Sequence, residues 1–228
     1  MGILSTLLLT PVLGILILAL IPSKNTDHIR FTANLIATIV FLLSFWLVLD
    51  YDKSDGGIQF YEYFVFNPKL NTALALGVDG LSLPMVVLAS LLTVIALLAS
   101  FNITRNIKSY YVCILLLEMG MLGVFLSQDW SLFYIFWELT LAPLFLFIYR
   151  WGGTRRHMAS LNFVLYTMGG SIFMLISLLA ISQYMPPHGG TLMSAMTIAA
   201  QSMPKDEQIW VLMGFLIGFG VKMPIFPI

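Results

Sequence analysis

The chain has 228 residues, of which 59% are hydrophobic and only 10% are charged. Soluble domains carry roughly 25% charged residues, so this composition excludes an ordinary water-soluble globule, and its hydrophobicity excludes intrinsic disorder. The 11 basic residues balance the 11 acidic ones, which excludes a basic surface for nucleic acid. The sequence therefore predicts an all-α, polytopic transmembrane helical bundle.

Seven stretches are long and apolar enough to cross a bilayer, which takes about 20 residues. Their predicted bounds are 2–22, 31–50, 79–101, 109–127, 130–149, 158–183 and 208–228. The first three form an N-terminal segment, residues 1–108, and the other four occupy residues 109–228. No basic residue precedes the first stretch, and its apolar run exceeds the ~7–15 residues of a signal-peptide core, so we expect a retained helix.

The cations between the spans predict the orientation. Loops 1–2, 3–4 and 5–6, numbered by the spans they join, hold seven cations, namely Lys24, Arg30, Arg105, Lys108, Arg150, Arg155 and Arg156. Loops 2–3, 4–5 and 6–7 hold three, namely Lys53, Lys69 and Lys205. The positive-inside rule places the first set in the cytoplasm or its equivalent, and the N-terminus on the opposite side.

Two outer loops are long enough to carry structure of their own. Gln59–Phe66 is rich in aromatic residues with partial alternation, which predicts a short strand or hairpin. Residues 186–190 form a turn cluster, and Thr191–Ser202 predicts a short interfacial helix.

Residues that hold metals or cofactors are scarce. Cys113 is the single cysteine, which excludes a disulfide framework and a thiolate site for zinc or an iron–sulfur cluster. His28, His157 and His188 fall in three separate predicted loops. The sequence also has no motif of a nucleotide site, a zinc protease or a serine hydrolase. We therefore expect no metal or cofactor in this chain.

Away from the ends of the predicted spans, three charged residues occur within them, namely Glu118, Glu138 and Lys222. A charge at the bilayer centre costs ~2.5–3.5 kcal/mol on insertion scales, and such groups face a bundle interior or a water path. Each is therefore a candidate for proton translocation. A purely structural role stays open for each, most of all for Glu118.

Glu138 lies about 12 Å into its span from Trp130 at 1.5 Å per residue, close to the midplane. Pro143 follows five residues later, and because proline has no N–H, the carbonyl of Leu139 loses its helical partner. The freed carbonyl is therefore expected to be available to bind water near Glu138.

Lys222 lies deep in the last span, in a run that contains Gly214, Gly218 and Gly220. The glycines allow close approach of another helix, and Pro224 and Pro227 break the helix just beyond. A broken helix at depth is tolerated where it lines a cavity. An ammonium exchanges protons, unlike a guanidinium, so the pattern favours a proton carrier over a lysine that snorkels to the surface.

These residues resemble a known family. Phe136-Trp137-Glu138-Leu139, Trp151-Gly152-Gly153 and Val221-Lys222-Met223-Pro224 are similar to chain M of bacterial NADH-quinone oxidoreductase (respiratory complex I), called chain 4 in mitochondria and chloroplasts. Gly77–Ser82, at the start of the third span, also fits that chain. The resemblance implies an antiporter-like fold in which a Glu on helix five pairs with a Lys on a broken helix seven. These are Glu138 and Lys222, with Glu118 as the acid of helix four.

The resemblance also implies an activity, the coupling of electron transfer to a quinone with proton export. It implies that FMN, iron–sulfur clusters and the quinone site lie in partner subunits, and that NADH or ferredoxin acts only through the assembled complex. The partners implied are the other membrane-arm subunits and the lipid bilayer. A bacterial inner membrane is favoured, with a thylakoid or other energy-coupling membrane as the alternative.

Family members continue into a second inverted repeat, whereas this sequence stops within helix seven. We therefore expect the N-terminal half of the fold, with residues 109–228 as an incomplete proton-translocating repeat and the chain as a fragment. Two alternatives remain from the sequence. One is a subunit of a multi-subunit sodium/proton antiporter, which shares the Glu and Lys pattern. The other is a non-functional membrane fragment.

Overall fold

A bundle of helices with one β-hairpin forms the part of the chain that the computed structural model describes, residues 2–54, 56–67, 72–185, 190–223 and 225. The helices are α1 (Ile3–Leu20), α2 (Thr26–Asp50), α3 (Ser82–Ala99), α4 (Ile107–Leu126), α5 (Trp130–Leu139), α6 (Leu141–Trp151), α7 (Arg156–Ser182), α8 (Met193–Ser202) and α9 (Lys205–Lys222). A 3-10 turn, Ser100–Asn102, follows α3.

Six segments in these residues are long and apolar enough to cross a membrane, with α5 and α6 together making one of them. The predicted transmembrane bundle is thereby confirmed. The seventh predicted span is not among these six segments, and its helix, α9, begins at Lys205 rather than at residue 208. Asp206 and Glu207 occupy its first turn, where acidic residues complement the helix dipole.

The C-terminal bound of that span was predicted at residue 228, whereas α9 ends at Lys222. The breaks expected at Pro224 and Pro227 lie outside the described residues. The same holds for the predicted turn cluster at 186–189, including His188, and for the loop cation Lys69.

The predicted hairpin is present between α2 and α3. Strand β1 (Gln59–Asn67) pairs antiparallel with β2 (Thr72–Val78), and Tyr63 lies opposite Ala75. The register shifts between Gln59 and Glu62, where Phe60 has a left-handed φ of 54°. An extra residue in one strand bends it and increases its twist. The bend precedes Glu62, whose carboxylate accepts hydrogen bonds from the Leu4 amide (2.7 Å) and from the hydroxyl of Ser5.

Hydrogen bonds join the connections at the hairpin end of the bundle. The Gln128 amide donates to the Ala75 carbonyl of β2 (2.8 Å), and the Trp130 amide donates to the Thr191 carbonyl (2.9 Å). The α4–α5 connection thus runs between the hairpin and the segment before α8. Predicted loops 2–3, 4–5 and 6–7 therefore meet at one end of the bundle.

The cation-rich connections meet at the opposite end. The Lys108 ammonium donates to the carbonyls of Ala19 (2.7 Å) and Ile21 (2.9 Å), where α1 ends. A cation satisfies the free carbonyls and the dipole at a helix C-terminus. The Arg30 guanidinium donates to the carbonyl of Ile103 (3.1 Å). These bonds bring loops 1–2 and 3–4 together at this end of the bundle.

Small residues set the packing of α9 along α7. A Cβ added at Gly214 would lie 2.0 Å from the Ser177 hydroxyl, and one added at Gly218 would lie 2.7 Å from the Met174 side chain. The two helices therefore approach more closely than larger side chains allow. This contact confirms the close approach predicted from the glycines, and it fixes the position of Lys222 at the end of α9.

Candidate functional site

The fifth span is interrupted at Thr140, between α5 and α6. Pro143 has no N–H for the Leu139 carbonyl, so the helical ladder is weakened across this turn. The Thr140 hydroxyl donates to the Trp137 carbonyl (2.8 Å), and the Thr140 side chain is 8% exposed. The interruption therefore presents a backbone carbonyl and a hydroxyl inside the bundle, at the middle of a membrane span.

Lys222 extends from the last turn of α9 into this interruption. Its ammonium donates to the Trp137 carbonyl (2.5 Å) and to the Thr140 hydroxyl oxygen (3.0 Å). The same nitrogen lies 4.1 Å from the centroid of the Trp137 ring, a cation–π contact. Lys222 is therefore half-buried, with its ammonium held against α5.

Aromatic side chains join α5 and α9 next to that ammonium. Phe133 stacks on Trp137 with centroids 5.5 Å apart, and Phe219 meets the Trp137 ring edge-on at 5.3 Å. Phe215 continues the contact to Trp130 at 5.3 Å. Aromatic contacts of this kind exclude water and restrict side-chain motion. They bring Lys222 to Trp137 although α9 packs mainly on α7.

Glu138 faces another direction. At 3.6 residues per turn, its side chain points about 100° from that of Trp137 and about 160° from that of Thr140. It lines a cavity of about 530 Å³ between α5, α6 and α7, whose other lining residues are apolar, namely Leu141, Ala142, Phe145, Leu161, Val164, Leu165 and Met168. The Glu138 carboxylate is therefore half-buried beside an apolar space.

Glu138 and Lys222 interact electrostatically but do not touch. Among the described residues, no ion pair within 4.0 Å links them, and the ammonium bonds neutral atoms instead. The attraction between the two charges nevertheless reaches Lys222. Lys222 of α9 thus binds α5 on the side of Trp137 and Thr140, whereas Glu138 points from α5 in another direction.

Glu118 lies apart from these groups. It is fully buried on α4, and neither of its carboxylate oxygens has a hydrogen-bond partner within the described part of the chain. The α4 face that meets α5 is formed by Gly120 and Gly123, which pack on Thr140 and Phe136. Those glycines point about 140–160° away from Glu118 at 3.6 residues per turn. Glu118 therefore does not join the Lys222 site.

Sequence reasoning missed Thr140 and the Trp137 carbonyl. One signal was available, because Trp130, Phe133 and Trp137 share a face of α5. Phe215, Phe219 and Lys222 follow the same three-to-four-residue spacing on α9. The match of two aromatic faces predicts their contact, but the atoms that bind Lys222 depend on where the fifth span breaks.

Asp129 was also missed. Its carboxylate accepts hydrogen bonds from the amides of Ser131 (2.9 Å) and Leu132 (3.1 Å), which caps α5. It also accepts one from the Thr191 hydroxyl (2.7 Å). The aspartate directly before the α5 pattern is a local capping signal, whereas its bond to Thr191 crosses the chain. Asp129 anchors the helix that carries the site.

Sequence comparison connects this geometry to known proteins. Residues 127–228 match the family described as NADH:quinone oxidoreductase/Mrp antiporter, TM. The chain is 40% identical over 228 residues to NAD(P)H-quinone oxidoreductase chain 4 1 of Picosynechococcus sp., covering 99% of this chain and 42% of that protein. It is 36% identical over 225 residues to the chloroplastic chain 4 of Angiopteris evecta, covering 98% of this chain and 45% of that protein. The chain thus spans less than half the length of these relatives.

Solved structures agree with this match. A chain of respiratory complex I from Thermus thermophilus with bound NADH is 28% identical, with a TM-score of 0.85 over 98% of this chain and 44% of that one. The Mrp complex from Dietzia sp. DQ12-45-1b contains a chain with the same fold, at 18% identity and a TM-score of 0.79 over 97% of this chain and 24% of that one. The resemblance to chain 4 stated from the sequence motifs is confirmed.

Proposed function

We propose that this chain, an antiporter-type membrane subunit similar to chain 4 of NAD(P)H-quinone oxidoreductase, carries protons through Lys222 under the control of Glu138. One observation carries the proposal. The Lys222 ammonium lies inside the bundle on three neutral groups, the Trp137 carbonyl, the Thr140 hydroxyl and the Trp137 ring. Among the described residues no carboxylate lies within 4.0 Å of this ammonium, so no ion pair fixes its proton.

Neutral partners leave the proton of Lys222 sensitive to more distant charges. A carbonyl dipole and an aromatic ring stabilise the ammonium, but they do not neutralise it. Glu138, one residue along from Trp137, supplies the missing negative charge from the other side of the turn. An ionised Glu138 therefore holds the proton on Lys222, and a neutral or displaced Glu138 favours its release.

The cavity beside Glu138 leaves space in which the exposure of that carboxylate can change. Its walls are apolar side chains of α6 and α7, so they offer the charge no compensating donor. A small movement of α7 relative to α5 would change the exposure of Glu138, and because α9 packs along α7 it would also shift Lys222 relative to the Trp137 carbonyl. Glu138 is thus the control group, and Lys222 is the carrier.

Net transport needs an external bias, since each charge moved across 100 mV costs about 2.3 kcal/mol. We infer that electron transfer from NAD(P)H or ferredoxin to a quinone supplies it in the assembled complex. FMN, iron–sulfur clusters and the quinone site would lie in partner subunits. The chain would act as one subunit of this oxidoreductase, with the other membrane-arm subunits and the lipid of an energy-coupling membrane as its partners.

The test uses the assembled complex in its native membrane and measures the ratio of protons moved to electrons transferred. Lys222→Ala is expected to abolish the contribution of this subunit with assembly intact. Glu138→Gln should do likewise, whereas Glu138→Asp should keep part of the activity. Lys205→Ala is the matched control, because it removes an exposed lysine from the other end of the same helix. A normal ratio in assembled Lys222→Ala complex contradicts the proposal.

A second candidate function is sodium/proton exchange without redox chemistry. The family description that matches residues 127–228 names the Mrp antiporter together with the oxidoreductase. Proteoliposomes that contain the purified native assembly separate the two. Sodium-dependent proton movement without quinone reduction favours the exchanger, and quinone-dependent proton movement that is independent of sodium favours the oxidoreductase subunit.

A further inference from the structure

Buried polar atoms without partners are concentrated at one helix interface. In the residues that the structure describes, five buried side-chain atoms make no hydrogen bond, namely Arg30 Nε, Asn34 Oδ1, Tyr111 Oη and both carboxylate oxygens of Glu118. Buried polar groups in folded proteins are normally bonded to protein or to ordered water. All five atoms belong to α2 and α4, so water held between these two helices would satisfy all of them.

The four side chains line a single path. Tyr111 and Glu118 are seven residues apart on α4 and share a face, as do Arg30 and Asn34, four residues apart on α2. Helices α2 and α4 are in contact, and Tyr111 lies in one apolar cluster with Ala33 and Ala37 of α2. The Arg30 guanidinium and the Tyr111 phenol lie close enough across this interface to interact, although without a hydrogen bond of ordinary geometry. The order along the interface is therefore Arg30, then Asn34 and Tyr111, then Glu118.

The path begins at the cation-rich end of the bundle. The Arg30 side chain is 20% exposed and lies 4.0 Å from Asp27, which is 96% exposed. Tyr111 is fully buried, and Glu118 lies about 10 Å further along α4 at 1.5 Å per residue. About three hydrogen-bonded waters span that distance at ~2.8 Å each. The side chains thus lead from the aqueous edge to a carboxyl group near the middle of the membrane.

We propose that α2 and α4 enclose a hydrated proton branch that connects the cation-rich surface at Arg30 with Glu118. Asn34 and Tyr111 hold the water chain. The Glu118 carboxylate takes a proton from that chain to become a carboxylic acid, and it returns the proton to water in the reverse step. The branch adds a second protonatable site to the proposed function, on which it rests, at a face of α4 directed away from Lys222.

Infrared spectroscopy of the native complex tests the branch directly. A protonated Glu118 gives a carboxyl C=O stretching band that is lost in Glu118→Gln and that shifts when H₂O is replaced by D₂O. Tyr111→Phe keeps the ring and removes the hydroxyl, so we expect it to slow this exchange about tenfold, the effect of one lost hydrogen bond. Tyr110→Phe is the matched control, since the Tyr110 hydroxyl accepts a bond from Ser100 instead. Asn34→Leu, which should also slow exchange, provides a second variant if Tyr111→Phe does not assemble.

The outcomes separate the branch from the proposed function. If the complex shows no exchangeable band that depends on Glu118, or if Tyr111→Phe and Asn34→Leu exchange at the wild-type rate, the branch is wrong. If Lys222→Ala transports protons normally, the proposed function fails, whereas the exchange rates still decide the branch. A lowered proton-to-electron ratio in Glu118→Gln, with the slowed exchange in Tyr111→Phe, supports both.

Discussion

The two membrane-embedded glutamates lie in regions that differ in how completely they bury a carboxyl group. Glu118 belongs to the bundle of α1–α4, where its exposed fraction is 0%. Glu138 belongs to the region of α5–α9, where it is half-buried beside a cavity of about 530 Å³. The first region closes around its acid, and the second leaves space next to it.

The difference follows from the continuity of the helices. Helices α1–α4 run unbroken through the described residues and pack into two leucine-rich clusters. The fifth span instead breaks at Thr140, which exposes a carbonyl and a hydroxyl to Lys222. In the second region a backbone carbonyl therefore binds a charged group. In the first region a charged group depends for its partners on the interface between α2 and α4.

The largest effect is expected where α9 packs on α7. An alanine Cβ at Gly214 would lie 2.0 Å from the Ser177 hydroxyl and 2.9 Å from the Phe173 carbonyl. We expect Gly214→Ala to cost about 1–3 kcal/mol through overpacking, to displace α9 and to lower proton transport more than tenfold. Gly169→Ala is the control, since nothing lies within 4 Å of its added Cβ. That variant should be as stable as wild type, or more stable by up to ~1 kcal/mol. Equal melting temperatures for the two variants would show that α9 is not held by this contact.

A smaller effect is expected at the break in the fifth span. Thr140→Val keeps the shape of the side chain but removes the oxygen that binds Lys222 and the donor to the Trp137 carbonyl. We expect about a tenfold loss of proton transport with electron transfer still measurable, and recovery in Thr140→Ser. Thr167→Val removes a hydroxyl that bonds only to its own helix, so it should leave transport unchanged. Equal transport in Thr140→Val and Thr167→Val would show that the break at Thr140 does not influence proton transport through Lys222.

Much of this arrangement can be predicted from the sequence, and the features that cannot be predicted share a physical cause. Apolar length predicts six spans of the structure, and partial alternation predicts the hairpin. Glu138 and Lys222 stand out because charges at membrane depth are rare. The break at Thr140, the use of the Trp137 carbonyl and the bond from Thr191 to Asp129 depend on groups that only folding brings together. A local pattern shows which residues are unusual but does not show which partner each receives.

Stability measurements compare the two glutamates themselves. Glu118→Leu replaces a buried carboxyl that has no protein partner among the described residues by an apolar side chain, so we expect the assembled protein to be as stable or more stable by about 1 kcal/mol. Glu138→Leu should change stability less, because the carboxylate is half-buried beside open space. Thermal unfolding in detergent checks both variants. A Glu118→Leu protein that unfolds at lower temperature than Glu138→Leu would indicate that Glu118 stabilises the bundle.

The smallest effect concerns the end of the first region, where Asp79 caps α3. Its carboxylate accepts hydrogen bonds from the amides of Ser82 (2.7 Å) and Leu81 (3.1 Å), and the Ser82 amide is the main cause of a pKa below the usual value for aspartate. Because the pKa is lower in the folded state, the cap contributes its full stability above the unfolded value of about 3.9. That contribution is lost as the pH falls through the lower, folded value.

Asp79→Asn separates this titration from the cap itself, since asparagine also caps helices. We expect a loss of a few tenths of a kcal/mol at neutral pH and a shallower decline of stability between about pH 4 and pH 3. Thermal unfolding in detergent across that range measures the slope, and Asp27→Asn removes one exposed acidic charge for comparison. Parallel slopes for wild type and Asp79→Asn would mean that the loss of stability at low pH comes from protonation of other carboxyl groups. The site at Lys222 should be insensitive to this substitution, because Asp79 belongs to the closed region and α3 makes no hydrogen bond to α9 in the described residues.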